Sequence, residues 1–542
     1  MDELRPLRTF YGVYGQRHKD RYMVRVKVPQ GILDDQQLET LGRIAREFSR
    51  GFGYVTTRQD IQFHFVFMEK VPTVLRLLAE AGLTTREAGG NIVRNVTCDP
   101  FAGICPQEVF DVTPYGNAVS RHFLRNPASQ NLPRKIKIAF AGCPHDHALT
   151  WIHDIGAQAV IKDGQRGFRL LVGGGLGAVP RAALPFADFV PEGELVRTCE
   201  AIVRVFDRTG ERKNRNKARL KFVLKRLGIE EFRRLVQQEL AAMPPADSDA
   251  YARPDFSQVE GPPEYPEPAQ AVPPGEGFEL WRAVNVIPQK QADYYAVQIS
   301  LPVGTITAEQ FEALADTSRR FCGGWLRATI EQNLLLRWVR EGDLPALHVA
   351  LAKAELARPG AETILDPVAC PGVETCRSGL TNSKALARAI IQEFSQDGYL
   401  QDPLLRAGRI KVSGCPNSCG HHHAADLGLY GCTLHVDGRL IPVYELLVGG
   451  GDGAVLAEPV MKIAARRVPA ALRALMDHYR QARNRQEPLR DFLRRTTPGE
   501  LREALAEYNH MPTFVEDPPA YVDWDGQKLF SLEERGEGEC AV

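Results

Sequence analysis

Hydrophobic and polar residues follow the same pattern in two stretches of the chain that lie 273 positions apart, beginning at Tyr22 and Tyr295. Each stretch opens with an alternation of apolar and polar residues, which is typical of a half-buried β-strand. The apolar positions that share one strand face are Val24, Val26 and Val28 in the first stretch and Val297, Ile299 and Leu301 in the second. Since the two stretches align without a gap, the pattern predicts an internally duplicated chain.

A helix is predicted directly after each of these strands. In the first copy the apolar residues have the spacing of one helix face: Leu38, Leu41, Ile44, Ala45 and Phe48. Asp34 or Asp35 can cap this helix, and in the second copy Thr307 and Gln310 have the spacing of a capping box. Because strands and helices alternate in both halves, we expect mixed α/β units related by a pseudo-two-fold axis, with a site where the halves meet.

Further motifs extend the duplication towards the end of each half. The sequence "AGCPHDH" (141–147) matches "SGCPNSC" (413–419), and "LLVGGGLGAV" (170–179) matches "LLVGGGDGAV" (446–455). The glycine turns lack the G-x-G-x-x-G spacing of a dinucleotide site, so they indicate close backbone approaches instead. Between the halves, residues 245–276 are rich in proline and are predicted to form a semi-extended linker.

Composition and charge exclude several classes of protein. Lysine plus arginine equal aspartate plus glutamate, at 67 each, which argues against a general nucleic-acid binder. No apolar stretch approaches the ~18 residues that a membrane helix needs, so no membrane association is expected. The first residues, "MDELRPLRTFYG", lack the apolar region of a secretory signal. We therefore expect a cytoplasmic protein, in which the eleven cysteines are thiols, metal ligands or catalysts rather than disulfides.

Four of the cysteines have a spacing that suits a metal centre. Cys370 and Cys376 precede Cys415 and Cys419 in the pattern C-x5-C-x38-C-x3-C. Structural zinc sites favour C-x2–4-C pairs, and a redox dithiol needs C-x-x-C. Four thiolates beside glycine and proline favour a [4Fe–4S] cluster. A zinc site and unligated buried thiols stay open as alternatives at this point.

The remaining cysteines and a run of histidines carry weaker signals. Three consecutive histidines point in different directions on any regular element, so they are interpreted as packing residues near the cluster rather than as ligands of one ion: His421, His422 and His423. Six cysteines are interpreted as small buried apolar residues: Cys98, Cys105, Cys143, Cys199, Cys322 and Cys432. Cys540 lies in a C-terminal tail that is predicted to fray.

The cysteine pattern and several other motifs together resemble the sirohaem-containing nitrite and sulfite reductases over nearly the whole chain. These motifs are "TTRQDIQFH" (56–64), "VRN" (93–95), "LPRKIK" (132–137), "NKARLK" (216–221) and both "LLVGGG" turns. The resemblance implies an α+β fold in which ferredoxin-like modules and two larger α/β modules for sirohaem and cluster are arranged about a pseudo-two-fold axis. The expected division is 1–70 and 277–345 for the ferredoxin-like half-modules, 71–244 for a sirohaem and substrate-cation domain, 245–276 for the linker, 346–508 for a [4Fe–4S] and sirohaem domain, and 509–542 for the tail.

The same resemblance assigns roles to individual residues. It implies that the four cysteines hold the [4Fe–4S] cluster and that Cys419, with Asn417 nearby, joins the cluster to the sirohaem iron. It implies four cations for the substrate anion: Arg25, Arg94, Lys135 and Lys137. It implies that Arg58 meets the sirohaem carboxylates. Lys217, Arg219 and Lys221 match a further family stretch and are predicted to bind the cofactor, with a solvated helix face and a site for an acidic electron donor as the alternatives.

Residue spacing supports the substrate cations independently, and one of them bears on the substrate. Arg25 is predicted on the strand face opposite Val24 and Val26. Lys135 and Lys137 would share one face of a strand, where they repel each other unless an anion or carboxylate lies between them. A lysine at position 137 resembles the sulfite reductases of the family, because plant-type nitrite reductases more often have a neutral residue at this position.

The expected function is therefore the six-electron reduction of sulfite to sulfide, with the reduction of nitrite to ammonia as the alternative. No flavin or nicotinamide module is recognisable, so the electrons are expected from ferredoxin or a separate flavoprotein. The chain is expected to act as a monomer. A non-catalytic zinc or cluster protein is the rival class, and it predicts no haem.

Overall fold

The structure is a computed structural model of the 542-residue chain, and it describes residues 4–257, 260–262, 272–395, 398–533, 535–536 and 539. Over these residues the chain forms four five-stranded sheets, of which two lie within one half each and two combine strands of both halves. The α+β class and the internal duplication are confirmed. Within the described part of the chain, each helix is too short or too polar to cross a lipid bilayer. Cys540 lies outside the described residues.

The first ferredoxin-like module occupies the beginning of the chain. Its elements are α1 (Arg5–Phe10), β1 (Val13–Gly15), β2 (Tyr22–Val26), β3 (Ile32–Asp34), α2 (Asp35–Phe48), β4 (Phe52–Val55), β5 (Ile61–Val66) and α3 (Val71–Glu80). On β2, Val24 and Val26 are fully buried and Arg25 is half-buried, as the alternation predicted. Asp34 caps α2 by accepting a 2.7 Å hydrogen bond from the Gln37 amide, so of the two predicted candidates Asp34 is the cap.

The first larger module follows and forms a mixed sheet in the order β10-β9-β8-β7-β6. Its elements are β6 (Thr97–Cys98), α4 (Thr113–Phe123), β7 (Ile138–Ala141), β8 (Ile155–Lys162), β9 (Gln165–Val172), β10 (Leu184–Pro191), α5 (Leu195–Thr209), α6 (Leu220–Leu227) and α7 (Ile229–Ala242). β7 pairs in parallel with β6 and β8, and the other pairs are antiparallel. Because parallel strands end at one edge of a sheet, the loops after β6 and β7 lie side by side.

The second half repeats both modules. Its ferredoxin-like elements are α8 (Phe278–Asn285), β11 (Val286–Pro288), β12 (Tyr294–Ile299), β13 (Thr305–Thr307), α9 (Ala308–Cys322), β14 (Trp325–Ala328), β15 (Leu334–Arg340) and α10 (Leu344–Lys353). The predicted capping box of Thr307 and Gln310 is present at the start of α9.

The second larger module has the same sheet, in the order β16-β17-β18-β19-β20, with β17 again parallel to both neighbours. Its elements are β16 (Val368–Ala369), α11 (Ser383–Phe394), α12 (Pro403–Arg406), β17 (Ile410–Ser413), β18 (Leu427–Val436), β19 (Arg439–Val448), β20 (Glu458–Ala464), α13 (Val468–Ala482), α14 (Leu489–Arg495), α15 (Pro498–Ala504) and α16 (Ala506–Asn509). The identical order and pairing give the molecule its pseudo-two-fold arrangement.

The two ferredoxin-like modules exchange a strand, which the sequence did not predict. β3 of the first copy pairs with β14 of the second, and β13 of the second pairs with β4 of the first. A glycine stands at each exchange point: a Cβ on Gly31 (φ +74) would lie 2.3 Å from the Ala328 oxygen, and one on Gly304 (φ +70) would lie 2.6 Å from the Val55 oxygen. The halves therefore share one hydrophobic core.

The predicted linker is attached to the fold by buried side chains. Tyr251 packs in the core of the first larger module. Glu260 accepts hydrogen bonds from Arg327 (3.0 Å) and Arg337 (2.8 Å), whose side chains are fully buried. The described part of the segment forms no helix or strand, as its proline content predicted, but it is held in place by these contacts.

Candidate active site

The four spaced cysteines lie in two adjacent loops of the second half. Cys370 follows β16, and Cys415 follows β17, which pairs with β16 in parallel. Cys370 and Cys415 are buried, Cys376 is half-buried and Cys419 is exposed. Burial, together with the neighbouring thiols of Cys370 and Cys419, raises the pKa of Cys415 to about 12. Thiolates that lie close together repel one another, and a bound metal cation would stabilise their charged form.

The loops around these cysteines pack closely against neighbouring backbone. A Cβ on Gly414 would lie 2.6 Å from the Thr381 oxygen, and Gly372 has φ +54. The Gly414 amide donates to the Cys370 sulfur at 3.2 Å, as amides do around iron–sulfur clusters. The buried hydroxyl of Ser418, next to Cys419, has no hydrogen-bond partner among the described residues. The residues present therefore fit a cluster bound by four thiolates.

Two arginines of the first half are held side by side by one loop. Arg25, on β2, and Arg94, before β6, both donate to the Ala88 oxygen, at 3.0 and 3.2 Å. Arg94 also donates twice to the Gly90 oxygen, at 3.1 and 3.0 Å. Backbone carbonyls orient both guanidinium groups, so two positive charges lie close together.

The two lysines lie beside these arginines and connect them to the cysteines. Burial lowers the pKa of Lys135 well below its usual value, and Arg94, Arg134 and Lys137 lower it further. Burial lowers the pKa of Lys137 to about 7, with Arg58 and Arg219 acting in the same direction and Cys419 acting against it. Lys137 is thus within electrostatic reach of Cys419, and the site combines residues from both halves.

The expected strand around the lysines begins later than the spacing suggested. β7 starts at Ile138, after both lysines, and Ile136 forms only an isolated bridge with Val93. Lys137 donates its amide to Asp154, and its side chain is half-buried, as is that of Lys135. The lysines flank this bridge in a segment outside the regular sheet.

The residues expected to bind cofactor carboxylates differ in burial and in their hydrogen-bond partners. Arg58 is buried, donates to the oxygens of Asn95 (2.6 Å) and Ile138 (2.9 Å), and has a pKa lowered to about 9 by burial. Its Nε has no partner among the described residues, and it therefore remains available to an acceptor in the site. Arg219 pairs with Asp154 at 2.8 Å.

Lys221, Lys217 and Asn417 complete this set. Lys221 donates to three backbone oxygens of the first glycine turn, including Val179 at 2.6 Å, so it organises the turn. Lys217 is exposed on a short 3-10 helix (Arg215–Lys217). Asn417 is exposed, and its backbone oxygen lies 3.9 Å from a Cβ placed on Gly177, where the loops of the two halves meet.

Close backbone approach explains the glycine turns, as predicted. A Cβ on Gly174 would lie 2.5 Å from the oxygens of Trp151 and His153. In the second half, a Cβ on Gly450 would lie 2.5 Å from the His423 oxygen.

The three histidines are buried and uncharged beside the site. Burial lowers the pKa of each, to about 4 in the case of His423. His422 and His423 contact each other through Nε2 atoms 3.1 Å apart. Lys137 and Lys411 also lower the pKa of His421, which places it near these two lysines.

Sequence reasoning missed Asp154 and Thr57. Asp154 is fully buried, accepts from the Lys137 amide and pairs with Arg219, so it fixes two site cations. Its counterpart in the second half, Asp426, pairs with Arg490, so the repeat itself contained the signal. Thr57 donates to the Cys419 oxygen at 2.9 Å. This contact joins the two halves, and no local sequence pattern predicts it.

Comparisons with known proteins identify the class. The model of the "Nitrite and sulphite reductase 4Fe-4S domain" matches residues 89–243 and 360–512, and that of the "Nitrite/Sulfite reductase ferredoxin-like half domain" matches residues 14–81 and 287–354. The chain therefore belongs to the nitrite and sulfite reductase family. Its members are oxidoreductases that hold sirohaem and a [4Fe–4S] cluster coupled through a cysteine.

Individual relatives are similar over most of the chain. The ferredoxin–nitrite reductase of Synechococcus elongatus is 32% identical over 84% of this chain and 86% of its own. The assimilatory ferredoxin-dependent nitrite reductase of Haloferax mediterranei is 30% identical over 92% of this chain and 86% of its own. The Mycobacterium tuberculosis NirA protein has a similar solved structure, with a TM-score of 0.78 and 26% identity over 92% of this chain and 91% of that one.

Proposed function

We propose that the protein reduces nitrite to ammonia with six electrons that ferredoxin delivers one at a time. The observation that carries this proposal is a group of first-half cations, two arginines held by one loop and two lysines, of which Lys137 is within electrostatic reach of Cys419 of the second half. The names of the relatives favour nitrite over sulfite, which was the substrate expected from the sequence. The ferredoxin donor is supported by the same names, and the absence of a flavin or nicotinamide motif from the sequence agrees with it.

The chain's own residues would bind the anion and supply protons. Arg25 and Arg94 present two oriented guanidinium groups to a small anion. Lys137, with a pKa of about 7, is able to give a proton near neutral pH and take one back from water. Arg58 and Arg219 would neutralise sirohaem carboxylates, and Cys370, Cys376, Cys415 and Cys419 would hold the cluster. The bound sirohaem and cluster would supply the electron transfer.

Sulfite is the second candidate, and the Lys137 side chain is the observation that favours it. Sulfite is largely a dianion near neutral pH and nitrite is a monoanion, so an additional buried cation stabilises sulfite more. Lys137 lies next to Arg58 and Arg219, where a further positive charge is unfavourable unless an anion is bound. Lys137 therefore keeps both substrates in the proposal.

The deciding experiment compares kcat/KM for nitrite and sulfite in the holoenzyme with reduced ferredoxin. We expect the wild type to prefer nitrite, and a clear preference for sulfite would overturn that choice. Lys137→Asn should lower kcat/KM for sulfite by about 10- to 100-fold, the equivalent of one charged hydrogen bond, and should affect nitrite less. Lys162→Asn, which removes an exposed lysine on β8, is the matched control and should change neither.

The visible spectrum of the purified protein tests the rival class. The bands of an isobacteriochlorin are expected, and their absence after expression with sirohaem supply would support a non-catalytic cluster protein. The monomeric state, the cytoplasmic location, the domain limits and the individual residue roles belong to the same proposal. Gel filtration of the holoenzyme tests the first of these.

A further inference from the structure

A second group of side chains of metal-binding types lies in the first half of the chain, and it contains none of the four cluster cysteines. The carboxylate of Asp99, the thiol of Cys143 and the imidazole of His147 hold their ligand atoms within 4.8 Å of one another. Cys143 Sγ is 3.3 Å from Asp99 Oδ2, and Cys105 Sγ donates to Gln107 Oε1 at 3.4 Å. His147 lies next to both thiols. Asp99, Cys105 and Cys143 are buried and His147 is half-buried. These four residues are called the DCCH group below.

The DCCH group is the first-half counterpart of the four cluster cysteines. Its spacing, D-x5-C-x37-C-x3-H, differs from C-x5-C-x38-C-x3-C by one residue in the long interval. The equivalent pairs are Asp99 and Cys370, Cys105 and Cys376, Cys143 and Cys415, and His147 and Cys419. Two thiols are therefore retained, and the other two positions carry residue types that also bind metals.

The backbone presents both sets of ligands in the same way. The amides of Asp99 and Cys370 donate to the neighbouring strand, at 2.9 and 3.2 Å. The amides of Cys105 and Cys376 each donate to the oxygen four residues earlier, at 2.9 and 3.0 Å. The turn that follows the third ligand has positive φ at equivalent positions in the two halves: Asp146 and Leu149 in the first, Ser418 and His421 in the second. The first half thus retains the backbone frame of a metal-binding site.

We propose that the DCCH group binds one zinc ion. Zinc is held tetrahedrally by cysteine, histidine and aspartate at ~2.0–2.3 Å, which puts neighbouring ligand atoms about 3.6 Å apart. For Asp99, Cys143 and His147 the 3.3 Å contact and the 4.8 Å limit suit one ion of this kind. Cys105, whose Sγ donates to Gln107 Oε1 at 3.4 Å, would turn from that partner to complete the ligand set. A [4Fe–4S] cluster is larger and prefers four thiolates, and this group has only two. The Phe101 amide donates to Asp99 Oδ1 at 2.9 Å, which leaves Oδ2 directed towards Cys143 and fixes the carboxylate as an outer hydrogen bond does in zinc sites.

The surroundings suit a structural ion with access from solvent. A cavity of about 370 Å³ is lined by His147 and its neighbours Pro100, His145 and Asp146. On the other side, Cys105 and Cys143 pack against apolar residues, among them Phe101 and Trp338. The ion would join the loop after β6 to the loop after β7, and its binding would release the protons of the two thiols.

The test measures zinc and iron in the holoenzyme by mass spectrometry after expression with added zinc and dialysis against EDTA. We expect one zinc per chain in the wild type. Cys143→Ser and His147→Ala should each lower zinc at least fivefold and leave the iron content unchanged, since iron reports folding and the cluster site. Cys199→Ala removes an equally buried thiol on α5 and is the matched control, with zinc retained.

Zinc K-edge absorption of the wild type tests the ligand set without any variant. We expect two sulfur ligands near 2.3 Å and two nitrogen or oxygen ligands near 2.0–2.1 Å. Wild type with full iron and less than a tenth of a zinc per chain would overturn the proposal, and so would zinc that survives the Cys143→Ser, His147→Ala double variant. One additional iron per chain, lost in that variant, would overturn the choice of zinc.

Discussion

Replacing Glu260 by glutamine removes the negative charge that holds the predicted linker against the fold. The carboxylate is 7% exposed and lies between Arg327 and Arg337, which are 0% and 2% exposed, at 3.0 and 2.8 Å. Burial, with the charge of Arg327, already lowers the pKa of Arg337 to about 10. Without Glu260, two buried guanidinium groups would share a neutral acceptor. Breaking a buried ion pair in this way costs about 3–5 kcal/mol.

Urea unfolding at pH 7, followed by fluorescence, measures this loss as a shift in midpoint at constant slope. Glu341→Gln is the matched control, because Glu341 pairs with Arg282 at 2.7 Å but both side chains are exposed. Exposed pairs contribute about 0–1 kcal/mol. If Glu260→Gln costs no more than Glu341→Gln, the buried pairs do not stabilise the fold and the reasoning from burial is wrong.

Three further changes have defined outcomes. Burial raises the pKa of Asp523 to about 6, so the folded protein binds the proton more tightly than the unfolded chain and stability falls as pH rises from 4 to 6. Between pH 5 and pH 7 wild type should lose about 1 kcal/mol that Asp523→Asn does not lose, by urea titration at both pH values. Gly31→Ala should cost more than 4 kcal/mol or prevent folding, whereas Gly51→Ala, with φ +86 and open space around it, should cost only about 1–2 kcal/mol; equal thermal midpoints would contradict this. Cys419→Ser should abolish the sirohaem bands and Cys432→Ser should not. Visible spectra of the two variants, recorded at equal protein concentration, measure this difference.

Residue patterns predicted the parts of the fold that depend on local sequence. Val24 and Val26 are buried on one face of β2 with Arg25 on the other, and the capping box of Thr307 and Gln310 starts α9. Such features involve neighbours in the chain, so a single sequence contains them. The strand exchange was not predictable in this way, because β3 and β13 are only three residues long and pair with strands that are far away in sequence.

The site was predictable where its residues belong to motifs that recur in both halves or that match motifs of a known family. The DCCH group was missed because attention to cysteines alone passes over positions where aspartate or histidine replaces a thiol. Asp154 was missed because the two halves were not compared at every position. Aligning the halves residue by residue pairs Asp99 with Cys370 and Asp154 with Asp426. The burial that shifts the pKa of Lys137 to about 7 depends on contacts between distant segments, and no sequence pattern contains it.

The exchanged strands have a consequence for how the protein is made. β4 ends at Val55 and its partner β13 begins at Thr305, so 250 residues must be added before β4 acquires its neighbour. At ~5–20 residues per second, a ribosome needs about 12 to 50 s for this length. During that interval the edge of β4 is open to pairing with other chains. The first ferredoxin-like module therefore completes its sheet only after the second half has been made.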